Sequence, residues 1–139
     1  MQIRELDLKE LEIIYPLIEQ LRSALSYKEF EDLIYDMRYM EYKMIGIMDK
    51  GELITYAGVA IQTNLYHKRH LYVFDLVSDK NFRNAGYGLM MLEYLYDYAK
   101  MGMCESVVIS SDSQKENSNS LYEKQGFIKN RSLFVKSIT

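Results

Sequence analysis

Two stretches of this 139-residue sequence place glycines and polar side chains at spacings that chemistry can use. The first is Asp75-Leu76-Val77-Ser78-Asp79-Lys80-Asn81-Phe82-Arg83-Asn84-Ala85-Gly86-Tyr87-Gly88, which reads as a strand ending in a loop that runs straight into a helix. Gly86 and Gly88 allow backbone to come close to a ligand, and the N-terminus of the following helix offers unpaired N–H groups with a partial positive charge. Together these make an anion site suited to phosphate or pyrophosphate, although a sharp turn alone would also use two glycines. Neither Gly-Lys-Ser/Thr nor Gly-x-Gly-x-x-Gly occurs, which sets aside a nucleoside-triphosphatase loop and a dinucleotide fold. The second stretch is Asn117-Ser118-Asn119-Ser120-Leu121-Tyr122-Glu123-Lys124-Gln125-Gly126-Phe127. His67 and His70 flank Lys68 and Arg69, but without a ligand spacing or a nearby carboxylate or cysteine they read as solvated loop residues. Cys104 reads as a small buried residue.

Elements must hold these stretches in place. Ile3 to Leu6 is a short apolar strand, followed by the capping pattern Asp7-x-x-Glu10 and a helix from about Leu8, in which Pro16 predicts a kink or restart. Ser26-Tyr27-Lys28-Glu29 is a second capping box, opening a helix to about Met40 with Phe30, Leu33, Ile34 and Met37 on one face. Lys43–Met48, Leu53–Gln62 and His70–Val77 read as three consecutive strands, the first two joined by a hairpin turn at Asp49-Lys50-Gly51-Glu52. Gly86 to Lys100 is helical by its apolar stripe, with Gly102 expected as a left-handed cap. Ser106–Ser110 is a short buried strand. A third capping box at Ser113–Glu116 leads into a helix carrying Leu121 and Tyr122, Gly126 caps it, and Leu133–Ile138 is a last strand. The order describes an α/β or α+β domain with a mixed, mainly antiparallel sheet of about six to seven strands and about four helices on both faces. The strand–helix–strand crossover late in the chain is where a ligand tends to bind.

Composition sets the outer bounds. With 48% hydrophobic and 27% charged residues, residues 1–139 are expected to form one domain with a real core, needing neither disulfides nor structural metal. Seventeen basic against twenty acidic residues, a net charge of −3, argue against a nucleic-acid partner. The single cysteine precludes an intrachain disulfide and a cysteine-rich zinc site, and it suits a reducing, cytoplasmic setting. No apolar run approaches the ~18–20 residues of a membrane span, and the N-terminus lacks the features of a signal peptide.

Taken together, Arg83-x-x-Gly86-x-Gly88 and Leu121-Tyr122-Glu123-Lys124-x-Gly126-Phe127, in this order and separation, resemble the GNAT superfamily, the Gcn5-related N-acetyltransferases. The resemblance covers at least Tyr72 to Phe127. It implies a direct transfer of an acetyl group from acetyl-CoA to a primary amine, with no metal. The backbone of Leu76, Val77 and Ser78 would pair with the pantetheine arm, at a place where the strand bulges and splays from its neighbour. Arg83, Asn84, Ala85, Gly86, Tyr87, Gly88 and Leu89 would hold the pyrophosphate. Asn117 matches an asparagine that contacts the cofactor, and Tyr122 matches the tyrosine that protonates the departing thiolate. A phenol suits that role, since aminolysis of a thioester expels a thiolate.

Asp75 is the only carboxylate on the strand beside the thioester site and is the candidate base, although alternation puts it on the face opposite Leu76. Several relatives place a glutamate three residues earlier, where this chain has Tyr72. Water-mediated deprotonation, or an amine delivered neutral, are the alternatives to Asp75. Tyr35, Met37, Tyr39, Met40 and Tyr42 fall where such folds border the acceptor, with ordinary packing as the competing explanation. The acceptor is expected to be a small-molecule or peptide amine, weakly favoured if cationic by the −3 charge. A homodimer is left open. The rival functions are a non-catalytic acyl-CoA-binding regulatory module and a small nucleotide-phosphate binder.

Overall fold

Asp7 and Ser26 begin the helical part of the chain as their spacing predicts. Asp7 accepts a hydrogen bond from the Lys9 N–H at 2.8 Å while Glu10 accepts from the Asp7 N–H at 3.0 Å, and Ser26 and Glu29 repeat the exchange. In the computed structural model, residues 1–110, 119–129 and 133–138 are described, with the side chains of 119 and 120 excepted. Strand β1 (Gln2–Leu6) leads to a 3₁₀ turn, Leu8–Glu10, and only then to helix α1 (Leu11–Leu21), three residues later than the sequence predicts. Nor does Pro16 restart the helix. It lies in the second turn, where its missing N–H costs a bond to Glu12, and the buried face Leu11, Ile14, Leu17 and Ile18 carries the helix through.

Helix α2 (Tyr27–Met37) ends in a 3₁₀ turn, Arg38–Met40. Phe30 and Ile34 are its buried residues, whereas Leu33 is 47% exposed, so the apolar face is narrower than its spacing suggests. Strands β2 (Lys43–Asp49) and β3 (Glu52–Asn64) form the expected hairpin, with Lys50 and Gly51 at φ 52° and 79°, the left-handed pair that a tight two-residue turn needs. Strand β4 (Lys68–Ser78), helix α3 (Tyr87–Met101), strand β5 (Ser106–Ile109) and helix α4 (Asn119–Lys124) follow. Gly102 is not left-handed (φ −82°); Met103 takes that conformation instead, at φ 61°. Gly126, at φ 89°, does so after α4 as expected.

Among the described residues the sheet has five strands in the order β1-β2-β3-β4-β5, antiparallel throughout except for the parallel pair β4–β5. It is the mixed sheet expected, with fewer strands. Leu133–Ile138 is not a strand: its apolar side chains Leu133, Phe134, Val135 and Ile138 are 73–102% exposed, and β-prone residues stay unpaired without a neighbour to pack against. Strand β5 is half-buried rather than buried, with Ser106 exposed. The third capping box, Ser113–Glu116, lies outside the described residues.

Two cores sit on the two faces of the sheet. One joins Ile45, Ile47, Val59, Leu71, Val73 and Leu76 to Met91, Leu92, Leu95 and Ala99 of α3 and Tyr122 of α4. The other joins Met44, Leu53, Tyr56 and Val77 to α1 and to Phe30 and Ile34 of α2.

Candidate active site

Among the described residues, strand β4 pairs with β3 along its whole length but with β5 only in its first half. Val73 pairs with Val59 and Asp75 with Gly58, which leaves Phe74 as an extra residue, a β-bulge. On its other side β4 pairs with β5 from His70↔Ser106 to Val73↔Ile109, and then runs on to Ser78. The bulge and the end of the β4–β5 ladder therefore coincide, where the sequence places Leu76, Val77 and Ser78. The Leu76 and Val77 side chains are buried in opposite cores, so any ligand beside them meets backbone. Ser78 is fixed at both ends: its Oγ lies 2.9 Å from Thr55 Oγ1, and its carbonyl accepts from Arg83 Nε at 3.2 Å.

The loop beyond β4 is shaped for close approach. Asp79 caps a 3₁₀ turn, Lys80–Phe82, by accepting from the Asn81 N–H at 3.0 Å, and Gln20 of α1 accepts from the Lys80 N–H at 2.9 Å. Asn84 and Gly86 then take left-handed backbone at φ 67° and 89°. The first bond of α3 runs from the Met90 N–H to the Gly86 carbonyl at 3.1 Å, so the N–H groups of Tyr87, Gly88 and Leu89 precede the helical ladder. A Cβ at Gly86 would meet nothing within 4 Å. Arg83, Asn84, Ala85, Gly86, Tyr87, Gly88 and Leu89 thus form one partly exposed rim around the start of a fifteen-residue helix.

Tyr122 is brought to this region from α4. It is 6% exposed and packs in the same core as Leu76 and Met91, with its ring 5.8 Å from Phe127. Cδ2 of Leu121, its neighbour, lies 3.7 Å from where a Cβ on Gly88 would be. Asn117 lies outside the described residues.

Asp75 occupies the opposite face, as strand alternation requires, and its carboxylate is engaged. Oδ1 accepts from Arg22 Nε at 2.9 Å and lies 2.7 Å from Arg22 Nη2, while Oδ2 accepts from the Tyr42 hydroxyl at 3.3 Å. The Tyr42 hydroxyl is in turn 2.7 Å from that of Tyr56. Burial, more than the neighbouring Tyr56 and Asp75, holds the Tyr42 phenol well above its ordinary pKa of 10. The Tyr42 ring packs over Gly58, where a Cβ would collide with the phenol, so the glycine makes room for this chain of contacts. Beside it the rings of Tyr42, Phe74 and Tyr72 follow one another at 5.6 and 4.7 Å.

Arg22, Tyr42 and Tyr56 are the residues that sequence reasoning did not assemble with Asp75. A glycine inside the β-prone run of β3 was the available signal, since such a glycine marks a bulge or a close approach. Nothing local points to Arg22, 53 residues from Asp75. Of the acceptor-side candidates Tyr42 contacts Asp75, whereas Tyr35, Tyr39 and Met40 are exposed and Met37 is half-buried. His70, expected as a solvated loop residue, lies on β4 and is 1% exposed, its Nδ1 2.8 Å from the Lys68 carbonyl oxygen. Cys104 is half-buried and burial pushes its thiol upward, which disfavours the thiolate a nucleophile would need. Among the described residues no group of three or more His, Cys, Asp or Glu could hold a metal ion, and no helix is long and apolar enough to cross a membrane.

Residues 5–127 match the acetyltransferase (GNAT) family. An uncharacterized N-acetyltransferase of Bacillus subtilis (strain 168), YhdJ, is 26% identical over 126 residues, which span 89% of each chain. Among solved structures, a ribosomal-protein-alanine N-acetyltransferase from Brucella melitensis biovar Abortus 2308 superposes with a TM-score of 0.84 at 17% identity, covering 99% of this chain and all of that one. An aminoglycoside 6′-N-acetyltransferase from Acinetobacter haemolyticus gives 0.82 at 14% identity, covering 100% and 99%. At these identities the likeness is one of fold.

Proposed function

The chain belongs to the acetyltransferase (GNAT) family, and on that premise we propose that it moves an acetyl group from acetyl-CoA directly to a primary amine. The observation that carries this reading is the coincidence, on β4, of a bulge with the end of its pairing to β5, directly before the Gly86–Leu89 helix start. Backbone of Leu76, Val77 and Ser78 would pair with the pantetheine arm and orient the thioester carbonyl. The N–H groups from Arg83 to Leu89 would hold the pyrophosphate, helped by the positive end of α3. Asn117 would add a contact from the segment before α4.

The amine nitrogen attacks the thioester carbonyl carbon, a C–N bond forms and the C–S bond breaks. We assign Tyr122 as the group that gives its phenolic proton to the departing sulfur. The attacking nitrogen loses a proton on the other side of the strand, where Asp75 is the carboxylate at hand: Arg22 occupies Oδ1 and Tyr42 takes one lone pair of Oδ2, which leaves the other for the proton. Otherwise water carries the proton away. Tyr42, Tyr72 and Phe74 would line the acceptor side, which favours an amine borne on apolar or aromatic carbon.

The test is release of free thiol from acetyl-CoA across a panel of amines: tyramine, spermidine, an aminoglycoside and a peptide with an N-terminal alanine. Release that depends on one of them is expected. Tight acetyl-CoA binding with no acceptor-dependent release across the panel would instead favour an acyl-CoA-binding regulatory module. Stronger thermal protection by ATP than by CoA would favour a nucleotide-phosphate binder.

A further inference from the structure

We propose that Arg22 is a positioning residue for acyl transfer: from the end of α1 it clamps the β4 bulge and holds that strand in the shape that receives the thioester. This rests on the reading of β4 as the thioester strand. Arg22 is the residue that closes α1, and its own N–H is tied to the Ile18 carbonyl at 2.7 Å. Its side chain then spans to β4 and takes hold of two consecutive residues. Nε and Nη2 lie 2.9 and 2.7 Å from Asp75 Oδ1, and Nη2 also donates to the Phe74 carbonyl at 3.3 Å.

Phe74 is the residue that the bulge inserts, so Arg22 grips the irregularity itself. On the far side of the same carboxylate, Tyr42 donates to Oδ2, and Tyr42 is anchored by Tyr56, whose side chain is fully buried. The bulge is thereby held between a helix end and a buried phenol pair. A planar guanidinium can serve a carboxylate and a carbonyl at once, which an ammonium on a flexible stem does poorly. Arg22 is 42% exposed, and an ion pair so open to water adds little to global stability. Its effect is therefore local: it fixes where the backbone after Phe74 points. Misplacement of bound groups by about 1 Å can cost about a hundredfold in rate.

Arg22→Ala and Arg22→Lys would be compared with the parent chain. The amine would be whichever member of the panel the parent acetylates. For Arg22→Ala, kcat should fall about ten- to a hundredfold while acetyl-CoA affinity stays within about threefold. Amide hydrogen exchange at residues 74–78 should quicken, with that of β2 unchanged. Guanidinium ion at low millimolar concentration should restore part of the kcat of Arg22→Ala, and Arg22→Lys should recover less than the added ion does. Turnover within twofold of the parent, or a loss that tracks thermal stability and ignores guanidinium, would overturn the proposal. A parent that binds no acetyl-CoA would sink the cofactor reading. The clamp would still be judged by exchange, and unchanged protection of 74–78 in Arg22→Ala would refute it.

Discussion

Tyr122 is the residue on which the proposed chemistry turns, and one atom separates its packing role from the proposed catalytic one. Its ring fills space against Leu76 and Met91, and its hydroxyl is the proposed proton donor. Tyr122→Phe keeps the ring, so acetyl-CoA affinity should change by less than about threefold while kcat falls by about 10²-fold, within the range expected for losing a general acid. Steady-state rates alongside calorimetric binding would show this, and undiminished kcat would remove Tyr122 from the mechanism. Gly58 governs the opposite face. Any Cβ there drives into the Tyr42 phenol, and even Tyr42 Cε1 would be only 2.8 Å away. Gly58→Ala should therefore lower unfolding free energy by about 1–3 kcal/mol in urea titrations, the usual cost of overpacking a tight site. A neutral result would mean that Tyr42 can swing aside. At this scale the helix start at Gly86–Leu89 was legible, because a glycine free to turn left-handed before an apolar helical stripe is a local signal. The Arg22–Asp75–Tyr42–Tyr56 chain was not, because it is made by residues distant in sequence that only the fold brings together.

Local rules govern the elements, and they fail where partners are remote. The capping boxes at Asp7 and Ser26 and the Lys50-Gly51 turn form as read, since each is settled within four residues. The Leu133–Ile138 strand does not form, since a β-prone run acquires its conformation only from a neighbour. The link between the Tyr42 turn and β3 has a consequence that pH can read. Burial raises the Tyr42 phenol well above its ordinary pKa of 10 and raises Tyr56 likewise. In the unfolded chain both would ionise near pH 10, whereas the folded chain keeps the protons. Above that pH the unfolded state binds fewer protons, so stability that is intact below pH 10 is lost as pH rises, by up to about 1.4 kcal/mol per pH unit for each group. Urea midpoints between pH 8.5 and 11 should fall, and less steeply in Tyr42→Phe. Tyr56, which remains in that variant, and Tyr15, Tyr27 and Tyr98, also raised by burial, account for a residual slope. An unchanged slope in Tyr42→Phe would show that its proton is not held by the fold.

Across the whole molecule the sheet separates two cores, and the proposed reaction assigns them different work. Met91, fully buried on the α3 side, supports the helix whose N-terminus would face the cofactor; Ile14, fully buried on the α1 side, supports the helix that carries Arg22 toward β4. Truncating either to alanine leaves a cavity and should cost about 2–5 kcal/mol, so stability alone cannot distinguish them. Ligand response should. Acetyl-CoA at a hundred times its Kd adds about 2.7 kcal/mol to any chain that binds it only when folded. Compared at one fixed acetyl-CoA concentration, Ile14→Ala should keep nearly all of the parent's increment while its KM for the amine rises. Met91→Ala should show a smaller increment, because its Kd for acetyl-CoA weakens by about tenfold. Thermal melts with and without acetyl-CoA, read beside initial rates, measure both. Equal loss of cofactor response in the two variants would mean that the sheet transmits the damage and that the two faces do not act separately.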